Sequence, residues 1–220
     1  MKTDMKKIIY LSAIALIAGF VILSSCKESF LEVTPNGSLD ESVLATYAGV
    51  DGLLISAYSM VDGIADMGFG DGWQAATSGW VYGSIRGIEA TKGTDAGDQP
   101  DINPIQSFSE TPTNPYLNHK WRASYEAISR CNSTIRTAVT AFDKGEITAE
   151  ELDWFTNQAR VLRGFYHFEA WRMWANRTTN TGVPYVGEDT DPVAVTNTED
   201  IRDLIIADLL AGTQLPTDMG

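Results

Sequence analysis

The chain has 220 residues, of which 44% are hydrophobic, 20% charged and 10% aromatic, so its composition is that of a globular protein with one sizeable core. Its formal net charge is −13 at pH 7. Because the phosphate backbone of a nucleic acid binds to basic faces, this charge argues against a nucleic-acid partner.

The first 25 residues have the pattern of an export signal. Lys6 and Lys7 precede an apolar run over residues 8–23, which is shorter than the roughly 20 residues that a bilayer-spanning helix needs. A short apolar run with a positive start and small residues at its end is typical of a cleaved signal peptide. We therefore predict a signal peptide over residues 1–25, followed by an extended tether over residues 26–40.

Cys26 ends the signal in the segment LSSC, residues 23–26. The segment resembles the lipobox of bacterial lipoproteins, in which the cysteine sulfur takes a diacylglycerol and becomes the new N-terminus. A disulfide to Cys131, the only other cysteine, a plain cleaved signal and an uncleaved membrane helix are the alternatives. We predict lipidation at Cys26, since several acyl chains at about 0.8 kcal/mol per buried methylene anchor a protein firmly. Cys131 is then expected to be a small core residue.

Apolar residues at three- and four-residue steps predict a mostly α protein with four main helices. They cover about residues 43–61, 120–139, 148–176 and 196–212. Gly145 is predicted to be the C-terminal cap of the second helix, and Thr148 with Glu151 predicts a capping box at the start of the third.

The last helix is predicted to begin with a second capping box, Thr196 and Glu199. Its inward residues are expected to be apolar: Ile201, Leu204, Ile205 and Leu209. Antiparallel helix pairs suggest a helical-repeat packing in which each unit covers the next. No further helix follows the last one in this sequence to cover its apolar face. We therefore expect the chain to be the N-terminal part of a longer protein.

A loop-rich insertion is predicted between the first two helices, over about residues 63–118, where Gly, Pro and Asp are frequent. Trp73, Trp80 and Tyr82 stand among its glycines. A flat aromatic ring can stack on the C–H face of a sugar, and Arg86 can add a forked donor to hydroxyls or carboxylates. We predict these four residues as a glycan-binding group; the alternative is that Trp73 and Trp80 pack the loop against the helices.

Motifs for enzymes, metals and nucleotide cofactors are absent from the sequence. It has no phosphate-binding loop, no GxSxG elbow and no HExxH zinc motif. In the acidic loop over residues 93–101 the aspartates are three apart, whereas EF-hand ligands are two apart, so a structural turn is expected rather than a calcium site. His119 and His167 are expected to be packing or surface residues. We predict no metal and no cofactor.

Paired carboxylates can hydrolyse glycosides, and Glu89, Asp95 and Asp98 are available in the insertion. Such proximity is expected by chance in a chain with 29 acidic residues. We therefore predict no catalytic residue and keep a surface glycosidase only as an alternative.

Several segments, in order along the chain, resemble one family of bacterial lipoproteins. They are the lipobox followed by FLE (30–32), KGTDAGDQ (92–99), WRASYEAISRCN (121–132), ARVLRGFY (159–166), GVP (182–184), and DL (208–209) with LP (215–216). The order and content resemble the SusD/RagB family of the Bacteroidetes. Two departures stand out: Gly164 replaces the usual alanine, and residues 87–91 lack the aspartate pair that many relatives carry.

The resemblance implies tetratricopeptide-like helix pairs with a loop-rich part packed on them. It implies an outer-membrane lipoprotein at the cell surface that captures oligosaccharides and passes them to a TonB-dependent barrel transporter, without enzyme activity. Family members are longer than this chain, so the resemblance implies the N-terminal portion, with residues 41–220 in the helical domain. A helical-repeat interaction scaffold without a sugar site is the second alternative, and a peptide cargo stays open.

Overall fold

The computed structural model describes residues 41–62, 79–191 and 193–217. The predicted signal peptide, tether, Cys26 and Trp73 lie outside these ranges. Within them the chain is all-helical, with six α-helices and no strand. In chain order these are α1 (Glu41–Leu44), α2 (Tyr47–Ser59), α3 (Ile102–Gln106), α4 (Pro115–Asp143), α5 (Ala149–Trp174) and α6 (Arg202–Leu210). A π-helical turn covers Trp80–Ile85, and a 3₁₀ turn, Ala211–Gln214, follows α6.

The first predicted helix is divided in two. Thr46 has extended backbone and its hydroxyl accepts a hydrogen bond from the Gly49 amide at 3.2 Å, so Thr46 caps α2 and separates it from α1. Val50, Leu54 and Ala57 of the predicted apolar stripe are buried.

The second helix, α4, begins five residues before the predicted start at Lys120. Asn114 is its N-cap, with the side-chain oxygen accepting from the Tyr116 amide at 3.0 Å, and Pro115 occupies the first helical turn. An Asn-Pro pair suits a helix start because proline has no amide hydrogen to leave unpaired. The predicted insertion therefore ends earlier than the sequence indicates.

The turn between α4 and α5 follows the sequence prediction closely. Gly145 has φ +75°, and its amide donates to the Phe142 carbonyl while the Glu146 amide donates to the Ala141 carbonyl, both at 2.9 Å. This is a Schellman cap. Next, the Thr148 hydroxyl accepts from the Glu151 amide at 3.2 Å and the Glu151 carboxylate accepts from the Thr148 amide at 2.7 Å. The predicted capping box is confirmed.

Helices α2, α4 and α5 enclose the main core. Cys131 is fully buried in this core as a free thiol, in agreement with its predicted role. The core is built largely from α4 and α5, and its buried members include Ala127, Ile128, Cys131, Ile135, Ala138, Phe155, Ala159, Leu162 and Tyr166.

The start of α6 differs from the prediction. No capping box forms between Thr196 and Glu199, because α6 begins only at Arg202, after Ile201. The Asp200 carboxylate accepts from the Arg202 amide at 3.1 Å and also pairs with the Arg202 guanidinium. Asp200 therefore provides the acceptor at the helix start that Thr196 was predicted to provide.

The buried face of α6 is also different from the predicted apolar stripe. Ile201 and Ile205 are buried, but Leu204 and Leu209 are 44% and 39% exposed. Asp208 takes the inward position and is only 2% exposed. A carboxylate can occupy this position because Arg163 of α5 pairs with it.

The predicted insertion contains more helix than its composition indicates. The π-helical turn and α3 pack together, and their buried apolar residues form a second cluster with the start of α4. In the three described ranges, none of the helices combines the length and the apolar character that crossing a membrane requires.

Candidate functional site

A pocket of about 610 Å³ lies where the insertion meets the start of α4 and the end of α5. Its volume falls within the range of about 300–1,000 Å³ that is usual for small-molecule sites. Polar and apolar side chains converge on it. Its lining consists of Tyr82, Gly83, Arg86, Gly87, Ile105, Glu110, Leu117, Arg172, Met173, Trp174 and Arg177.

The wall on the insertion side is held in place by hydrogen bonds to the start of α4. The Tyr82 hydroxyl donates to the Tyr116 carbonyl at 2.7 Å, which ties the π-helical turn to the start of α4. The Asn114 amide group donates to the Asp101 carbonyl at 2.8 Å, which ties the start of α3 to the same place. Burial raises the pKa of Tyr82 far above its ordinary value, so its hydroxyl stays protonated and keeps its bond to the Tyr116 carbonyl. The wall is therefore built before any ligand arrives.

Arg86 and Glu110 form an ion pair within the pocket lining. The Arg86 guanidinium also lies 4.9 Å from the centre of the Phe108 ring, a cation–π distance. Phe108 is 59% exposed and has φ +58°, a backbone conformation that is unusual for an aromatic residue. The side chain of Arg86 is thus oriented by two neighbours, and its charge is largely balanced by Glu110.

A second charged group lies at the end of α5. Both Arg172 guanidinium contacts go to the Glu169 carboxylate, at 3.0 and 3.1 Å. The buried Lys120 ammonium lies 3.6 Å from the same carboxylate and 5.9 Å from the centre of the Tyr82 ring. Burial lowers the pKa of Lys120, while the nearby Glu169 opposes that change.

Trp174 connects this pocket to a neighbouring one of about 450 Å³, because it lines both. Trp121 lines the neighbouring pocket and meets Trp174 edge-to-face, with 5.0 Å between ring centres. Trp174 is half-buried, so part of its ring is available to a ligand. An indole at the junction of two pockets suits a ligand made of linked rings, since ring faces stack on apolar C–H surfaces.

The four residues that the sequence predicts to bind a ligand do not all line this pocket. Tyr82 and Arg86 line the pocket, although the Tyr82 hydroxyl is already bonded to the backbone. Trp80 is 38% exposed and does not line this pocket. Trp73 lies outside the described residues. The structure thus brings two of the four together.

The sequence prediction omitted the contribution of α5. Arg172, Trp174 and Arg177 line the pocket from the end of this helix and the turn after it. The signal was present as the segment WRMWANR over residues 171–177, in which aromatic and arginine side chains alternate just before a helix stop. Within the predicted helix over residues 148–176, this segment carries no signal that separates ligand-binding side chains from packing ones.

A larger hollow of about 730 Å³ lies beside Trp154, at the start of α5. Among its polar side chains, Glu151 already serves the capping box, and Glu150 and Asp153 add further carboxylates. It has no cationic lining side chain in the described part of the chain. The pocket beside Trp174 has the more varied set of convergent groups, so it is the candidate site.

The acidic loop over residues 93–101 forms a turn. The Asp95 carboxylate accepts from the amides of Gly97 and Asp98, at 2.8 and 3.1 Å, which is an Asx-type turn and agrees with the predicted structural turn. The described residues contain no group of three or more His, Cys, Asp or Glu side chains arranged to hold a metal ion.

Comparison with known proteins adds no relative. No model of a known protein family matches the sequence, and no curated protein matches it either. The resemblance to SusD/RagB lipoproteins therefore rests on the sequence motifs quoted above.

Proposed function

We propose that this chain is the N-terminal portion of a SusD/RagB-type lipoprotein that binds oligosaccharides. In this proposal the helix pairs are tetratricopeptide-like, Cys26 carries the lipid anchor, and the protein lies at the cell surface on the outer membrane. It passes its cargo to a TonB-dependent barrel transporter. The anchor, the location and the transporter come from the lipobox and the family resemblance.

The observation that carries the binding function is the pocket that Trp174 shares with its neighbour. It offers a partly exposed indole, an adjoining apolar wall and several guanidinium donors within a volume suited to a small saccharide. Sugars present both apolar C–H faces and hydroxyl edges, so they need this combination of groups.

Two alternatives are less well supported by this pocket. A glycosidase needs two carboxylates across the scissile bond, whereas Glu110 is the one carboxylate in the described lining and it pairs with Arg86. A pure interaction scaffold needs no pocket lined by Trp174 and arginines. Binding without catalysis is therefore the function that we propose.

The test is calorimetric titration of the purified protein with a panel of neutral and acidic oligosaccharides. Replacing the Trp174 ring by Trp174→Ala should weaken binding about fivefold, because one stacked ring contributes about 1 kcal/mol beyond its burial. Trp154→Ala is the matched control, since Trp154 lines a different hollow.

Both variants must keep the helical circular-dichroism spectrum of the parent protein. Unchanged affinity in a folded Trp174→Ala variant would remove Trp174 from the site. If the folded parent protein bound no member of the panel, the scaffold alternative would replace the binding function. Trp80→Ala, measured alongside, tests the sequence-based prediction that this exposed ring also contacts sugar.

A further inference from the structure

We infer that the pocket beside Trp174 selects saccharides that carry an anionic group, either a carboxylate or a sulfate. The inference rests on the proposed oligosaccharide-binding function and specifies its ligand class. It comes from the charge of the pocket lining, which is positive, whereas the net charge of the whole chain is negative.

The described lining of the pocket contains three arginines and one carboxylate. The arginines are Arg86, Arg172 and Arg177, and the carboxylate is Glu110. The whole chain, in contrast, has a formal net charge of −13. A cleft in which one sign of charge is in excess focuses the field and raises the local concentration of oppositely charged ligands. An acidic protein with a cationic pocket will therefore repel anions over most of its surface and attract them at this point.

The positive charge is not spread evenly over the pocket. On the insertion side, Glu110 balances Arg86. On the α5 side, the Glu169 carboxylate pairs with Arg172, and Arg177 is a further cation in the lining. The excess charge thus lies at the end of α5, next to Trp174.

Arg177 carries this excess charge. Its guanidinium donates to the Arg172 carbonyl and lies 5.3 Å from the centre of the Trp171 ring. No carboxylate among the described residues pairs with it. The backbone bond holds the guanidinium at the pocket rim, and it uses one of the five N–H donors that this group carries.

A guanidinium fork fits the two oxygens of a carboxylate or sulfate, and such charge-assisted pairs are about twice as strong as neutral hydrogen bonds. Arg177 is therefore placed to bind the anionic group while the sugar ring rests on Trp174. A neutral sugar would leave the excess charge at the end of α5 unpaired.

The test compares matched charged and neutral ligands by calorimetric titration. One pair is a trimer of galacturonic acid and its fully methyl-esterified form, which keeps the sugar skeleton and removes the charge. The other pair is a sulfated oligosaccharide of neutral sugars and its desulfated form. We expect at least tenfold tighter binding of the charged member in one of the pairs, with an affinity that falls as salt is raised. The pair that shows the preference identifies the anionic group.

Arg177→Gln should remove about tenfold of the affinity for the preferred anionic ligand, and Arg177→Lys should restore part of it by returning the charge without the fork. The control is Arg202→Gln, which removes one charge from an exposed arginine that pairs with Asp200 away from the pocket. This control should leave the affinity unchanged.

Equal affinity for the charged and neutral members of both pairs would overturn the inference and leave the proposed oligosaccharide binding intact. Unchanged binding of the anionic ligand by a folded Arg177→Gln variant would also overturn it. Absence of binding to every saccharide would overturn the proposed function as well, so the two failures are distinguishable.

Discussion

His167 is fully buried in α5, and both of its ring nitrogens are engaged. Nε2 accepts a hydrogen bond from the Val186 amide at 3.0 Å, so Nδ1 carries the proton and donates to the Arg163 carbonyl, also at 3.0 Å. The ring stacks on Tyr185 with 4.4 Å between ring centres. These contacts suit a neutral imidazole. Protonation at Nε2 would replace the bond to Val186 by a repulsion between two donors.

Acid is therefore expected to destabilise the protein through His167. Burial lowers the pKa of His167 to about 4, although its bond to the Arg163 carbonyl opposes this change. The ordinary pKa in the unfolded chain is about 6.5. Because the folded value is the lower one, the unfolded state binds the extra proton between these values. This contribution is complete above about pH 6.5 and is lost as the pH falls to about 4, by up to about 3 kcal/mol.

The measurement is the free energy of urea unfolding between pH 4 and pH 7. His167→Gln removes the titrating ring and should flatten the dependence of the unfolding free energy on pH in this window. His119→Gln, which replaces the only other histidine, should keep most of that dependence. Equal slopes for the parent and His167→Gln would contradict the assignment.

Gly164 determines how closely α5 and α6 approach each other. A Cβ atom placed on this glycine would lie 2.9 Å from the Asp208 Cβ and 3.1 Å from both Leu209 Cγ and the Leu209 amide nitrogen. The glycine therefore permits the contact between the two helices. The resemblance singled out this position as a departure from alanine, and the structure supplies a packing reason for it.

Gly164→Ala is expected to lower the free energy of unfolding by about 1–3 kcal/mol, because the overpacking outweighs the gain in helix propensity. Gly52→Ala is the matched control: Gly52 lies inside α2 with nothing within 4 Å of an added Cβ, so that variant should gain about 0.5–1 kcal/mol. Chemical denaturation of both variants tests whether the unfolding free energy falls in Gly164→Ala and rises in Gly52→Ala. Stabilisation by both would mean that α6 shifts freely on α5.

On the scale of the whole molecule, one buried polar cluster joins α4, α5, α6 and the segment before α6. Arg163 binds Asp208 through two bonds, at 2.7 and 2.8 Å, and also donates to Asn132 at 2.8 Å. The Tyr185 hydroxyl donates to Asp208 at 2.7 Å. Burial alone would raise the pKa of Asp208, but its bonds from Arg163 and Tyr185 bring that pKa below its ordinary value. The carboxylate thus stays charged in the interior.

Asp208→Asn is expected to destabilise the protein by about 3–5 kcal/mol, since it leaves the Arg163 charge buried without its main partner. Asp200→Asn removes a similar carboxylate from an exposed pair with Arg202 and should change the stability little. Urea unfolding of the two variants provides the comparison. Similar stabilities would show that the buried cluster is not what holds α6 against the bundle.

Local sequence signals determined where the main helices lie and how α4 ends and α5 begins, although the division of the first helix and the starts of α4 and α6 differ from the prediction. The Schellman turn at Gly145 and the capping box of Thr148 and Glu151 each depend on residues within five positions, so they could be predicted before any packing was known. The core position of Cys131 was predicted by another route, since lipidation of Cys26 leaves Cys131 as a single thiol, and the structure buries it.

Only the tertiary structure decided the buried face of α6 and the composition of the pocket. Asp208 turns inward because Arg163, 45 residues away, pairs with it, and no local pattern carries that information. Likewise, Arg86 from the insertion and Arg177 from the turn after α5 line the same pocket, although they are far apart in the sequence. Periodicity and capping are properties of neighbouring residues, whereas a charge pair or a pocket is a property of side chains that only folding brings together.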